Sequence, residues 1–277
     1  MQSRFEQINV FATDPLRGNP LAVVHCQANA FSTQTMQAFA RWTQLSETVF
    51  ISPASDPRAD YQVRIFTPTG ELPFAGHPTL GSCHSWLDGK KQAVIIQQSA
   101  IGLVEIRQIE DQLFFKAPPL IEQRAFSAKE LECSLAATGL SAEDVMATCV
   151  LSNGPVWHCI VVKSVESLMK VNANFSAMAD LKIGICSYAD LDNALVVRAF
   201  MGDEAVEDPV TGSLQAVLAQ WLIKAGKMSN HYHAQQGACV GAAGEVEIKE
   251  IEGDIYIGGH STVVIRGEVS LAVDNAE

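Results

Sequence analysis

The chain is predicted to be an α+β protein made of two similar pseudo-repeat domains, each a mostly antiparallel sheet rolled around a central helix. Three observations lead to this reading. First, Val63 to Leu87 and Val197 to Leu222 follow one order: a strand (VRIF, VRAF), a turn-rich loop, and a helix-like run that ends in Trp-Leu. Second, Arg64 and Arg198 lie 134 residues apart and Trp86 and Trp221 lie 135 apart, close to half of the 277 residues. Third, each half mixes helices with largely antiparallel strands around one apolar helix, a pattern that a curved sheet satisfies by wrapping the helix.

Along the first half, β-branched and aromatic runs predict strands near 4–11, 20–25, 47–52 and 61–66, with three more between 92 and 117. A 3.6-residue periodicity predicts helices near 33–45 and 78–88. Pro118-Pro119 interrupts both patterns, because proline lacks the backbone donor and restricts its predecessor. The linker is placed there, giving domains 1–118 and 119–277, with the last strand free to cross back to the first domain. The second half then repeats the order. A helix near 127–138 precedes strands near 147–152 and 157–162, helical turns between 164 and 182, a strand near 193–200, a helix near 212–225 and closing strands. Even the turn before each early strand recurs, as Gly18-Asn19-Pro20 and Asn153-Gly154-Pro155.

Composition narrows the function classes. With 19 Lys and Arg against 31 Asp and Glu, the formal charge is −12, which argues against a nucleic-acid partner because phosphate affinity needs clustered cations. No apolar run reaches the 18 residues of a membrane span. The N-terminus, MQSRFEQINVFATD, has no basic start followed by an apolar core, so a cytoplasmic location is expected. Seven scattered cysteines without a Cys-x-x-Cys pair suggest neither a disulfide framework nor a zinc site.

Three local features carry possible chemistry. Glu47, in QLSETVFI, follows a helix and opens an apolar strand, where a charge is costly unless it is paired, exposed or functional. Desolvation there would raise its pKa towards the range useful to a general acid/base; a solvated strand-edge carboxylate or a helix cap fits the spacing too. Gly76-His77-Pro78-Thr79 spans a loop-to-helix junction. Pro78 suits an early helical position, Gly76 allows close approach to the backbone, and His77 offers a donor or a proton shuttle. A structural turn with His77 capping the helix is the alternative. The counterpart junction, Glu207 to Ser213, offers the Asp208 carboxylate with Gly212 and Ser213 as donors at a second helix mouth, or a plain cap made by Thr211 or Ser213.

Together these features suit removal and return of a proton on a small carboxylated molecule, with helix-start donors stabilising the developing charge. Other motifs point less clearly. His231-Tyr232-His233 puts two imidazoles on one strand face, but no third ligand of suitable spacing is evident. Gly237 to Gly244 (GACVGAAG) lacks P-loop and dinucleotide-turn spacing, and no Gly-x-Ser-x-Gly signature occurs.

With VFATDPLRGNPLAVV, LSETVF, FTPTGELPFAGHPTLG and EDPVTGS assembled in order over nearly the whole length, the chain resembles the PhzF family, named for phenazine biosynthesis. The resemblance implies a diaminopimelate-epimerase-like fold with the active site between the halves. It also implies a homodimer, and an isomerase that uses no cofactor and no metal. By matching motif it implies that Glu47 is the general acid/base, that His77 and Asp208 are its polar partners, and that Gly76, Gly212 and Ser213 hold the substrate carboxylate. The loops PFAGHPT and EDPVTGS carry no cysteine, which sets the chain apart from two-cysteine racemases of this fold. Ala242 stands where the family pattern has an arginine, a departure that bears on substrate class. The expected function is therefore proton relocation on a small anionic metabolite, with no nucleic-acid or membrane partner; the alternative is a non-catalytic small-acid binding protein with a relict cleft.

Overall fold

The computed structural model describes residues 1–189 and 192–272. Two compact units emerge, one made of Met1–Lys116 with Gly258–Glu277 and the other of Ala117–Ile257.

The first unit runs β1 (Gln2–Val10), β2 (Asn19–His25), α1 (Thr33–Thr43), β3 (Glu47–Ser52), β4 (Tyr61–Phe66), a short β5 (Glu71–Leu72), α2 (Gly76–Leu87), β6 (Val94–Ser99), β7 (Gly102–Ile109) and β8 (Gln112–Lys116). The second runs β9 (Glu122–Arg124), α3 (Ala128–Thr138), β10 (Val145–Ser152), β11 (Val156–Val162), α4 (Val165–Lys170), α5 (Phe175–Met178), β12 (Lys182–Ser187), β13 (Ala194–Met201), β14 (Val206–Asp208), α6 (Gly212–Lys224), β15 (His231–Gln236), β16 (Gly244–Ile251) and β17 (Asp254–Gly259). The last strand, β18 (Ser261–Ser270), returns to the first unit and pairs antiparallel with β1.

Pairing repeats between the units. In the first, β1–β2, β3–β4 and β6–β7 are antiparallel while β2–β3 and β4–β6 are parallel. In the second, β10–β11, β12–β13 and β15–β16 are antiparallel while β11–β12 and β13–β15 are parallel. A flanking strand completes each set, β18 on β1 and β9 on β10. Side-chain details repeat too. Arg64 on β4 pairs with Glu71 and Arg198 on β13 pairs with Glu207, both at 2.7 Å. Each guanidinium lies over the phenylalanine two residues on, at 5.1 Å for Phe66 and 4.9 Å for Phe200, a cation–π contact.

The α+β architecture is the one predicted, and each sheet encloses one helix. Helix α2 is buried on nearly every side and packs against β1, β2, β3, β4, β6, β8 and β18. Helix α6 is equally enclosed, with Leu214, Ala216, Val217, Leu218, Ala219 and Leu222 all buried. The close approach needs small residues. A Cβ on Gly81 of α2 would meet Leu21 Cδ2 at 2.5 Å, and one on Gly184 of β12 would meet Leu214 Cδ1 at 2.4 Å. By contrast α1 is an ordinary amphipathic helix. It buries Met36, Phe39 and Ala40 against Val24, Phe31, Phe50 and Phe66, and leaves its other face to solvent.

Glu6 of β1 anchors α2 from below. Fully buried, it accepts hydrogen bonds from Arg4, from Arg266 of β18 at 2.7 Å, and from the Ser85 hydroxyl of α2. Such a buried carboxylate is tolerated because each neighbour donates to it.

Most elements fall within a few residues of expectation; the strands not anticipated are the short β5, β9 and β14 and the longer β12. Strand β12 was not anticipated, because KIGICS is buried on both faces and shows no period-two alternation. All seven cysteines are free thiols, four of them buried. Among the described residues no helix is long and apolar enough to cross a membrane.

The packing around α2 generates a test. Gly81→Ala should destabilise the protein by about 1–3 kcal/mol despite alanine's better helix propensity, since the methyl must displace Leu21 and Val10. Gly70→Ala, where nothing lies within 4 Å, should stay within about 0.5 kcal/mol. Urea unfolding midpoints compare the two; equal midpoints would contradict the close packing.

Candidate active site

Glu47 is the first residue of β3, and the parallel pairing with β2 sets it opposite Leu21. His77 is the second residue of α2. Its Nε2 lies 3.4 Å from Glu47 Oε2, and the two side chains are only 5% and 15% exposed. The imidazole also hydrogen-bonds the backbone of Pro20, which has no N–H and therefore accepts through its carbonyl. Since Nε2 makes no hydrogen bond, the donor to Pro20 is Nδ1. Burial pushes the His77 pKa down to about 3, and the Pro20 carbonyl opposes this only weakly. Burial thus disfavours a charged ring, the bond to Pro20 fits a proton on Nδ1, and Nε2 faces the carboxyl of Glu47.

Helix α2 begins at this pair. Its N-cap, Ala75, is extended and supplies no side-chain hydrogen bond to the first turn. The same is true at α6, where the N-cap is Thr211. The other four helices differ: Ser32, Ser127, Ser164 and Asn174 each cap their helix through the side chain, and Ser127 forms a full capping box with Glu130. An uncapped helix start keeps backbone N–H groups and the positive end of the dipole available to an anion.

In the second unit, Asp208 ends β14 and Gly212 and Ser213 open α6. The Thr211 hydroxyl, instead of capping, donates to Asp208 Oδ2 at 2.5 Å. Ser213, the second residue of α6, lies inside the helix and not at its N-cap, and its Oγ accepts from Trp157 Nε1 at 3.2 Å. Gln236 ties this group together: its amide nitrogen donates to Thr211 Oγ1 at 2.8 Å and to the Asp208 carbonyl at 3.0 Å, while its amide oxygen accepts from Thr211 N and from Gln215.

The first unit contains a counterpart. Gln97 of β6 donates to Thr79 Oγ1 at 3.2 Å and accepts from Ser82 and Tyr61, each at 3.0 Å. In both units a buried strand glutamine therefore grips the fourth residue of the central helix, Thr79 or Gln215. Such buried amides rigidify a helix start when fully bonded.

Glu47, Gly76 and His77 thus converge at the α2 start, and Asp208, Gly212 and Ser213 converge at the α6 start. Pro20, Gln97 and Gln236 were not picked out from the sequence. The repeated Gln-Gln in IIQQS and HAQQG was the available signal, but a polar residue in a strand reads as an exposed face until its burial is known. Ala242, at the other noted departure, is buried with its amide donating to the Gly237 carbonyl at 3.0 Å.

Comparisons with known proteins agree with this architecture. A family model of phenazine biosynthesis-like proteins, PhzC-PhzF, matches residues 8–267. An uncharacterized isomerase of Pasteurella multocida is 31% identical over 273 residues, covering 96% of this chain and 93% of its own. The trans-2,3-dihydro-3-hydroxyanthranilate isomerase of Pseudomonas aeruginosa is 31% identical over 222 residues, or 78% of each chain. Among solved structures, a PhzF-family phenazine biosynthesis protein of Bacillus anthracis superposes with a TM-score of 0.82 at 21% identity, over 98% of this chain and 99% of the other. The chain therefore belongs to the PhzC-PhzF family of phenazine biosynthesis-like proteins, as an enzyme of the isomerase class.

Proposed function

We propose that the protein relocates a proton on a small carboxylate-bearing substrate by single general acid/base catalysis at Glu47, without cofactor or metal. The observation that carries this reading is the enclosed Glu47–His77 pair at the uncapped start of α2. In the reaction a substrate C–H bond breaks and its proton passes to the Glu47 carboxylate, while the electron pair moves into the conjugated system. Glu47 then returns the proton to a different carbon, so the double bond shifts and no electrons are gained or lost. The first-turn N–H groups from Gly76 onward stabilise the substrate carboxylate and the enolate-like charge. His77, with Nδ1–H held by Pro20, keeps Nε2 as an acceptor that orients the protonated carboxyl between the two transfers. Within the same proposal Asp208, Gly212 and Ser213 position the substrate, and the protein acts as a homodimer.

A panel of small unsaturated carboxylates in deuterium oxide, including trans-2,3-dihydro-3-hydroxyanthranilate, tests the chemistry by mass and proton NMR. Glu47→Gln is expected to lower deuterium incorporation by about 10²–10⁴-fold while ligand-induced shifts persist. Undiminished exchange in that variant would overturn the role of Glu47, and binding without exchange in the unaltered protein would make it a binding protein. Asp208→Asn should also slow exchange; unchanged kcat and KM would remove Asp208 from the reaction. The homodimer predicts a sedimentation mass of about twice 29.9 kDa, and a monomer at assay concentrations would refute it.

The buried neutral imidazole has a separate consequence. His77 titrates ordinarily at 6.5 when unfolded but only at about 3 in the native protein. Below pH 6.5 the unfolded chain takes up a proton that the native state refuses, so the stability present at neutral pH declines with acidification. The decline is about 1.4 kcal/mol per pH unit until near pH 3. His77→Gln should show a shallower loss of urea stability between pH 7 and pH 5; identical slopes would contradict the assigned protonation state.

A further inference from the structure

The exposed face of the β15–β16 ribbon in the second unit gathers three metal-ligating side chains outside the site described above. Antiparallel register sets His233 opposite Glu247 and His231 opposite Lys249. Alternation along β15 turns His231 and His233 to solvent and buries Tyr232 and Ala234. The two imidazole centroids are 5.5 Å apart, and His231 Nε2 is 2.7 Å from Glu247 Oε1. One ligand atom from each of His231, His233 and Glu247 fits within 4.8 Å of the others, the one such group among the described residues. The third ligand that spacing along one strand does not supply thus arrives from the neighbouring strand.

We propose that His231, His233 and Glu247 form a binding site for a divalent transition-metal ion, with zinc its best match. Two imidazoles and one carboxylate are a donor set suited to zinc, and three protein ligands leave a fourth position for water. Zinc bonds of about 2 Å in a tetrahedron separate ligand atoms by about 3.3 Å. The ligand atoms already lie within 4.8 Å of one another, and the exposed side chain of His231, at 55%, has room to turn toward that spacing.

Lys249 sets the terms of binding. Its Nζ lies 3.0 Å from the same Glu247 Oε1 that faces His231. The ammonium thus occupies part of the position a metal cation would take, and the ion must displace it. Lysine and metal compete for one carboxylate, so removal of Lys249 is a gain-of-binding test that adventitious imidazole binding would not pass. The site is also joined to the α6 start. Strand β15 ends at Gln236, which hydrogen-bonds Thr211, so a metal that ties β15 to β16 braces the strand on which that network hangs.

The test titrates zinc into the chelator-treated full-length protein by calorimetry, with cobalt absorption as a second readout. One equivalent bound with micromolar affinity is expected. His231→Ala, His233→Ala and Glu247→Gln should each weaken binding by about 10-fold or more, as loss of a ligand costs at least as much as loss of its outer-shell partner. Lys249→Met should tighten it, and cobalt should give the strong visible bands of a four-coordinate site in the unaltered protein and in Lys249→Met but in none of the three ligand variants. His231 and His233 are exposed whereas Glu247 and Lys249 are partly buried, and circular dichroism checks that each variant is folded. No stoichiometric zinc in the unaltered protein, binding undiminished in both histidine variants, or no gain on removing Lys249 would each overturn the proposal.

Discussion

A helix enclosed on nearly every side must find partners within the protein for its polar groups, and that constraint organises both units. Neither α2 nor α6 has a polar face, so each must be wrapped by a sheet, and each sheet must supply polar groups where the helix begins. Gln236 answers part of this need by accepting from Thr211 N, while Gln97 bonds only side chains of α2 and β4. The N-caps do not answer the rest, although every peripheral helix is capped by a serine or asparagine. Stability alone would favour a capping side chain at these positions by about 1 kcal/mol. Leaving them open is consistent with use by an anionic substrate.

The two units share a framework and differ in the side chains at their helix starts. The Arg–Glu pairs, the cation–π contacts and the glutamine grips recur because they hold strand to strand and strand to helix. At the second position of the central helix, however, one unit has His77 and the other Ser213. His77 faces a carboxylate opening the adjacent β3, whereas Ser213 accepts from Trp157. The duplication thus builds two equivalent helix starts, and divergence sets a histidine beside a carboxylate at one of them. Neither junction loop carries a cysteine, so neither offers the thiol on which a two-thiol mechanism depends.

Much of this was legible in the chain. Helices α1, α3 and α6 and most strands follow from periodicity, because local burial imposes its own repeat on the residues that satisfy it. Glu47, His77 and Asp208 were conspicuous as charged or polar groups beside apolar runs and turn signals. Strand β12 was not, because a strand buried on both faces loses the alternation that marks it. Gln97 and Gln236 were not, because their side chains look solvent-directed until the strand is placed against the helix.

The sequence by itself determined the duplication, the α+β class, the two helix junctions and the residues able to carry charge there. These properties depend on local spacing, on which the chain imposes few alternatives. Tertiary structure decided which groups meet. Only the parallel β2–β3 pairing, with α2 packed against both strands, brings Pro20 and Glu47 to the same imidazole of His77. Only the β15–β16 register brings Glu247 to the two histidines, and only the return of β18 to β1 lets Arg266 neutralise Glu6. Each of these contacts joins residues distant in sequence, so its geometry is set by the packing of whole elements and leaves no periodic trace along the chain.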